Sequence, residues 1–254
     1  SGIKLTGYTK SAGDGNMFQT VFKRYENKYF VNPAQYSAVL EILERNAVPD
    51  EYGKSRICSI YYDTPDKRLI RASLEKPVYK EKLRLRTYGV PDGGSQCFIE
   101  IKKKYKGVVC KRRIGAAYSD GLSYMSGGAD NIKPSQIKKE IEYFKSHYGA
   151  LAPSADIFYS RLAFFDRQDR NVRITFDSDI VFRTYNFDLR NGDSGEPVLQ
   201  NGVYLMEIKT AGAMPLWTAQ MLTELKIYPV SFSKYGTAYK KLLSDGGMKK
   251  IITT

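Results

Sequence analysis

Residues 80–89 read "KEKLRLRTYG", with cations at Lys80, Lys82, Arg84 and Arg86 and with Leu83 and Leu85 between them. A period of two marks a β-strand with one apolar and one ionic face. Like charges two residues apart on a strand lie about 6.7 Å from each other. They repel by roughly 0.6 kcal/mol in water and by about 2.5 kcal/mol at an effective dielectric of 20. For a single strand, the solvated face of a half-buried sheet is the ordinary reading. A surface strand made only for solubility would mix its signs, and this one does not.

The same pattern recurs along the chain. "VFKRYENKYFV" gathers Arg24, Glu26 and Lys28 on one face, and "CFIEIKKKYKG" gathers Glu100, Lys102 and Lys104 opposite Ile99 and Ile101. "VVCKRRIGA" aligns Lys111 with Arg113, "FYSRLAFFD" presents Arg161, and "NVRITFDSDI" presents Arg173, Thr175, Asp177 and Asp179. "VYLMEIKT" presents Leu205, Glu207 and Lys209, and "SRICSIYYD" completes about eight amphipathic strands by this alternation. Helices are expected after the Asn32–Pro33 cap, from Ser135 to the cap Gly149, from Pro215 to about Leu225, and from Ser233 to Leu243.

Short turns between strands point to an antiparallel sheet, and closure is one way for such a sheet to avoid bare edges. The expected fold is therefore α+β: a closed eight-stranded antiparallel β-barrel with helices packed outside. Apolar strand faces would meet the helices, and ionic faces would line an interior wide enough for one elongated ligand.

Composition agrees with an anionic ligand. Forty Lys and Arg against 27 Asp and Glu give a formal net charge of +13. The one histidine, His147, falls beside a helix cap, which disfavours a Ser/His/Asp triad or a His-ligated zinc. The three cysteines lack C-x-x-C spacing and read as reduced thiols, so a cytoplasmic location is expected. No apolar run is long enough to span a bilayer. Residues 1–16 read as a flexible leader, with Met17 a candidate start, and 17–254 as a single domain.

Cations interleaved with Glu26, Glu100 and Glu207 suit a polyphosphate and its divalent metal, the carboxylates holding metal and the cations phosphate oxygens. A nucleic-acid binder would place aromatics beside the cations. Here Tyr25, Tyr29 and Tyr79 fall on the opposite face, so nucleic acid is not the expected partner. G-x-x-x-x-G-K-[ST] and G-x-G-x-x-G fingerprints are also missing.

In order, "RYENKYFV", "SIYYDTPD", "KLRLRTYG", "FIEIKKK", "YSRLAF", "VRITFDSDI", "YLMEIK" and "SFSKYG" resemble the catalytic domain of the vacuolar transporter chaperone (VTC) polyphosphate polymerases, in the form of their short bacterial relatives. These belong to the triphosphate tunnel metalloenzymes. The resemblance runs from about Phe22 to about Leu243, so residues 17–254 would form one VTC-like tunnel domain. It implies transfer of the terminal phosphate of ATP to a growing inorganic polyphosphate chain, with manganese or magnesium. Arg84, Arg86, Lys102, Arg161 and Arg173 would act on the transferred phosphate. Arg24, Lys28, Lys111, Lys209, Ser231 and Lys234 would bind phosphate, and Glu207, Glu26 and Glu100 would face the metal. Lys80, Lys82 and Lys104 are expected as rim charges.

One departure bears on the reaction. Hydrolytic members of the superfamily open with Glu-x-Glu-x-Lys, whereas this chain has Arg24-Tyr25-Glu26-Asn27-Lys28. Losing a carboxylate weakens a two-metal, water-activating site and favours transfer over hydrolysis. A triphosphatase using the same tunnel, and a nonenzymatic polyphosphate or nucleic-acid binder, are the alternatives. Eukaryotic members also carry membrane domains; none is readable in this sequence, which leaves room for a membrane-protein partner.

Overall fold

The structure, a computed structural model, describes residues 25–244. Ten strands form one antiparallel sheet. The main path runs β1 (Tyr25–Val31), β10 (Tyr204–Thr210), β8 (Arg173–Arg183), β7 (Ala152–Asp166), β3 (Ser55–Asp63), β4 (Tyr79–Tyr88), β5 (Gln96–Tyr105) and β6 (Val108–Ala117). Two short strands lie off it: β2 (Ala47–Pro49) pairs with β7, and β9 (Glu196–Pro197) with β8.

The expected closed eight-stranded barrel is not what forms. Among the described residues no ladder joins β1 to β6, so the sheet stays open. Part of the reason lies at the outer edge of β1. Tyr29 there bridges to Pro229, and Val230 N–H donates to the Lys28 carbonyl at 2.7 Å. A segment some two hundred residues away thus occupies backbone groups that β6 would need. The sheet nevertheless curls far enough for Lys102 of β5 to donate to Glu26 of β1 at 2.9 Å.

Alternation decides what each face carries. On the convex face Leu83, Leu85, Ile99 and Ile101 are buried beneath α3 (Tyr118–Met125) and α4 (Gln136–Tyr148). Tyr29, Ile174, Phe176 and Met206 are buried beneath α1 (Pro33–Asn46) and α5 (Leu216–Glu224). Burying such side chains stabilises by roughly 1.5–3 kcal/mol each. The α1 start is a capping box: Gln35 N–H donates to the Asn32 side chain, and the Gln35 side chain accepts from Asn32 N–H. Ser135 caps α4, which ends at Gly149, where φ is +71°, and His147 is exposed in its last turn.

Not every helix lies outside. Tyr235, Ala238 and Tyr239 of α6 (Lys234–Ser244) pack against Ile57, Tyr61, Ile157 and Tyr159. Those strand residues share the parity of Ser59 and Arg161, so α6 sits on the concave face. Asp63 fastens it there. Its carboxylate accepts from Thr64, Leu69 and Ile70 N–H and from the Tyr235 hydroxyl. One buried carboxylate thereby ties α2 (Arg68–Leu74) and α6 to the end of β3.

Candidate active site

Curling leaves a cavity of 1590 Å³ on the concave face, lined by the ionic strand faces. Its two walls are built differently. On the β4–β5–β6 wall, Glu100 is fully buried among cations. Arg84 Nε donates to Glu100 at 2.7 Å and Arg84 Nη1 to the Tyr61 hydroxyl at 2.9 Å. Arg86 donates from Nε to Ser59 and from Nη2 to the Tyr159 hydroxyl, and Lys111 pairs with the other oxygen of Glu100. Burial alone would raise the Glu100 carboxyl, but Arg84, Arg86 and Lys111 together hold it well below the usual carboxylate range.

Strand register explains this convergence. Arg84 stands opposite both Tyr61 on β3 and Glu100 on β5, and Lys102 stands opposite Lys82 and Lys111. Paired residues share a face, so these groups meet inside.

On the β1–β10–β8 wall the carboxylates and cations alternate. Lys28 stands opposite Glu207, and Glu26 opposite Lys209. Lys209 reaches Glu207 at 2.9 Å, while Lys28 lies 3.5 Å from Glu26 and 3.6 Å from Glu207. Arg161 makes a two-pronged contact to Asp177 at 2.6 and 2.7 Å, and Lys234 donates to the same carboxylate. Burial pushes Glu26 and Glu207 upward, but Lys102 beside the first and Lys209 and Lys234 beside the second keep both strongly ionised.

Burial lowers lysines on both walls, taking Lys209 of β10 to about 8 against the pull of Glu207. Burial, reinforced by neighbouring cations, pushes Lys82 down to about 7. Burial also takes Lys111 to about 7, against the pull of Glu100. For Lys234 burial is outweighed by Asp177 and Glu207, and its ammonium is held above the ordinary value.

A family model described as the VTC domain matches residues 23–243. The chain belongs to the VTC-domain family. Among curated proteins none matches it. Its fold is similar to the crystal structure of a protein from Bacillus halodurans described as a candidate adenylate cyclase, with a TM-score of 0.55 over 85% of this chain and 96% of that one. At 12% identity this likeness speaks to the fold alone. A Hippeastrum protein described as an adenylyl cyclase with a dominant triphosphatase activity is 15% identical, with a TM-score of 0.46, 89% of this chain and 96% of that one being covered.

Within the VTC domain, the residues expected from the sequence mostly line this one cavity: Arg84, Arg86, Lys102, Lys111, Arg161 and Arg173, and also Lys28, Lys209, Ser231, Lys234, Glu26 and Glu207. Arg24 lies outside the described residues. Arg173 stands toward one end, donating to Asp50 at 2.6 Å and lying over the Phe165 ring. Glu100 serves the arginine wall and keeps company with cations, apart from the lysines that surround Glu26 and Glu207. Lys82, expected at the rim, reaches inward and donates to Ser233 at 2.8 Å.

Several members of the site were not singled out from the sequence. Asp177 was placed on the inner face by alternation, but its role as anchor of Arg161 and Lys234 needs three dimensions. Tyr61 and Tyr159 share the parity of Arg161 and Ser59, a signal that was available. Ser233, rather than Ser231, is the serine of "SFSKY" that contacts a cavity lysine.

The donor set tests the fit of a metal. Among the described residues no group of three His, Cys, Asp or Glu converges. Glu26 and Glu207 do approach a common lysine, Lys28, and offer hard oxygen donors of the kind magnesium and manganese take. Two such carboxylates fit one hard divalent ion.

Proposed function

We propose that the cavity binds the triphosphate of ATP and transfers its terminal phosphate to inorganic polyphosphate. The observation that carries this reading is the state of three guanidiniums. Arg84, Arg86 and Arg161 are each anchored through two nitrogens, to Glu100 and Tyr61, to Ser59 and Tyr159, and to Asp177. Arg84 Nη2, Arg86 Nη1 and Arg161 Nη1 each remain without a hydrogen bond to protein among the described residues, in a cavity those side chains line. Arginine carries five N–H donors in a rigid fork, so a guanidinium held at two nitrogens presents the third in a fixed direction. Three such donors suit an extended chain of phosphate oxygens. Membership in the VTC-domain family supports the same substrate class.

Phosphoryl transfer asks chiefly for positioning and charge neutralisation. The attacking atom would be a terminal oxygen of the acceptor chain, already an oxyanion, so no general base is required. Its bond to the γ-phosphorus forms as the bond from that phosphorus to the β–γ bridging oxygen breaks, and ADP carries away the electron pair. Arg84, Arg86 and Lys111 would hold the donor phosphates, while Arg161, Lys234 and Lys209 face them from the opposite wall. Glu26 and Glu207 would hold a divalent ion, manganese or magnesium, which would supply positive charge against the phosphate charge. Lys28 and Lys102 fix those two carboxylates.

The test is incubation with ATP and a divalent metal, followed by a gel stained for polyphosphate and an assay for free phosphate. Long chains support transfer. ADP and free phosphate in equal amounts, without chains, would make the protein a triphosphatase; no turnover with tight polyphosphate binding would make it a binder.

A further inference from the structure

Residues 231–234, "SFSK", line the cavity and reach both of its walls. Lys234 turns to β8 and donates to Asp177, while the Ser233 hydroxyl turns to β4, where Lys82 Nζ lies 2.8 Å from it. Ser233 also caps α6. Its Oγ accepts from Gly236 N–H at 3.1 Å, and its carbonyl accepts from Thr237 N–H at 2.8 Å. The cap fixes the direction of the hydroxyl, and both Ser233 and Lys82 are only half-buried, open to the cavity they line.

Of the cavity-lining serines, Ser55, Ser73, Ser231 and Ser233, only Ser233 has its hydroxyl on a lysine amine among the described residues. A serine hydroxyl is a weak nucleophile until a base within hydrogen-bond reach takes its proton. Lys82 meets that distance. The charged and titratable groups that face it are Tyr61 of β3, Lys28 of β1, Lys102 of β5 and Lys80 of β4. Burial pushes the Lys82 ammonium down, Tyr61 opposes this, and the three lysines add to the fall, which reaches about 7. Part of it is therefore free amine at neutral pH. Arg84, which the reading above gives to the donor phosphates, stands two residues along the same strand face, about 6.7 Å away.

We propose that Ser233 is a self-phosphorylation site: when no acceptor chain fills the cavity, Ser233 Oγ takes the γ-phosphoryl of ATP and Lys82 receives its proton. This rests on the phosphoryl-transfer reading above and adds to it a regulation of the same cavity. The bond from Ser233 Oγ to the γ-phosphorus forms as the bond from that phosphorus to the β–γ bridging oxygen breaks. ADP leaves with the electron pair, and the hydroxyl proton ends on Lys82 Nζ as an ammonium. The product is a phosphoserine with nearly two negative charges at the start of α6, where a helix favours an anion. Lys82 flanks it, as does Lys28, whose ammonium already donates to the Phe232 carbonyl at 2.9 Å. An ester phosphate is a poorer phosphoryl donor than an anhydride, so an arriving chain does not reclaim it. Fixed there, it occupies cations that a diffusing phosphate chain needs, and the cavity is shut by its own substrate when acceptor is missing.

The test is intact-mass and peptide mass spectrometry of the full chain after incubation with ATP and magnesium, with and without added long-chain polyphosphate. The expected result is a single added phosphoryl group on Ser233, suppressed by the added chain, and a modified protein that binds tripolyphosphate about tenfold more weakly by calorimetry. Ser233→Thr keeps the hydroxyl and the cap and should carry phosphothreonine instead. Lys82→Arg keeps a cation and a donor but cannot take up a proton, and should slow the modification by about a hundredfold. In the unaltered protein the rate of modification should rise from about pH 7 to 9 as free amine accumulates, and Lys82→Arg should lose that rise, which a structural lysine would leave in place. An unaltered protein that extends an added chain yet gains no phosphoryl group would overturn the proposal. So would modification at another residue, an unchanged rate in Lys82→Arg, or a modified protein that binds tripolyphosphate as before. If the unaltered protein neither binds tripolyphosphate nor turns ATP over, the phosphoryl-transfer reading fails first and this one falls with it, so that arm is scored before any variant.

Discussion

The two walls of the cavity use the same residue types to different ends. On the β1–β10–β8 wall three carboxylates have cations at contact distance, Glu26 with Lys28 and Lys102, Glu207 with Lys28 and Lys209, and Asp177 with Arg161 and Lys234. On the β4–β5–β6 wall one carboxylate, Glu100, serves Arg84, Arg86 and Lys111 together. By these contacts the first wall sets three carboxylates against five cations and the second one against three, so charge is better compensated on the first. The second carries unpaired positive charge, which the low polarity of the interior makes costly until an anion arrives. Building and binding are thus divided between the walls.

The largest effect should come from the cationic wall. Arg84→Ala removes a guanidinium that lines the cavity, and on the proposed reading kcat/KM for chain synthesis is expected to fall by about 10³-fold. Glu100 keeps Arg86 and Lys111, so the melting temperature should hardly move. The balanced wall should answer in the opposite way. Asp177→Asn leaves Arg161 and Lys234 buried with Glu207, at 3.6 and 3.5 Å, as their remaining counter-charge, and a loss of about 3 kcal/mol in unfolding free energy is expected from denaturant melts. If Asp177→Asn proved as stable as the unaltered protein, the contrast between the walls would collapse.

Proton linkage adds a test that reaches both walls, because burial also takes Lys209 of β10 down to about 8. Lys82 and Lys111, at about 7 in the folded protein, would titrate near 10.4 in the unfolded chain. Between these values the unfolded state binds more protons, so this pair makes the free protein more stable as pH rises from about 7 to 9. On the proposed reading, phosphate binding would restore both ammonium groups. Affinity for tripolyphosphate should therefore fall over the same range, by up to about tenfold per pH unit for each proton taken up. Calorimetry in buffers of different ionisation enthalpy would count those protons. Lys234, held above its ordinary value by Asp177, should contribute nothing in that window.

The smallest effect expected is at Tyr61. Burial would raise its phenol, but Arg84, Arg86 and Lys82 bring it down to about 7. Tyr61→Phe removes the acceptor that holds Arg84 Nη1, at about 1 kcal/mol, or roughly a fivefold loss in kcat/KM. The pH profile of kcat/KM should shift as well, which a merely structural role would not produce.

Much of this was legible in strand parity. Alternation in "KEKLRLRTYG" puts Leu83 and Leu85 under helices and Arg84 and Arg86 in the cavity, because a pleated strand leaves no other choice. Helix caps at Asn32, Ser135 and Gly149 were readable for the same local reason. What local patterns could not carry were contacts between distant segments. The occupation of the β1 edge by Pro229 and Val230 keeps the sheet open, and nothing near Tyr29 announces it. The docking of α6 on the concave face depends on Asp63 meeting Tyr235. The helix α2 is short, and its first N–H groups are taken by Thr64 and Asp63 just upstream in "DTPD", a local signal that the alternation of the preceding strand obscured. Asp177 was visible as an inner-face acid, while its partnership with both Arg161 and Lys234 required the fold.

One measurement bears most directly on what the cavity does: phosphorus NMR of the products after incubation with ATP and magnesium, quenched by chelator, for the unaltered protein and Arg84→Ala side by side. Growth of a bridging-phosphate resonance matched by ADP, present in the first and missing in the second, is the expected result. ADP matched only by free phosphate, or bridging phosphate made equally well by Arg84→Ala, would contradict it.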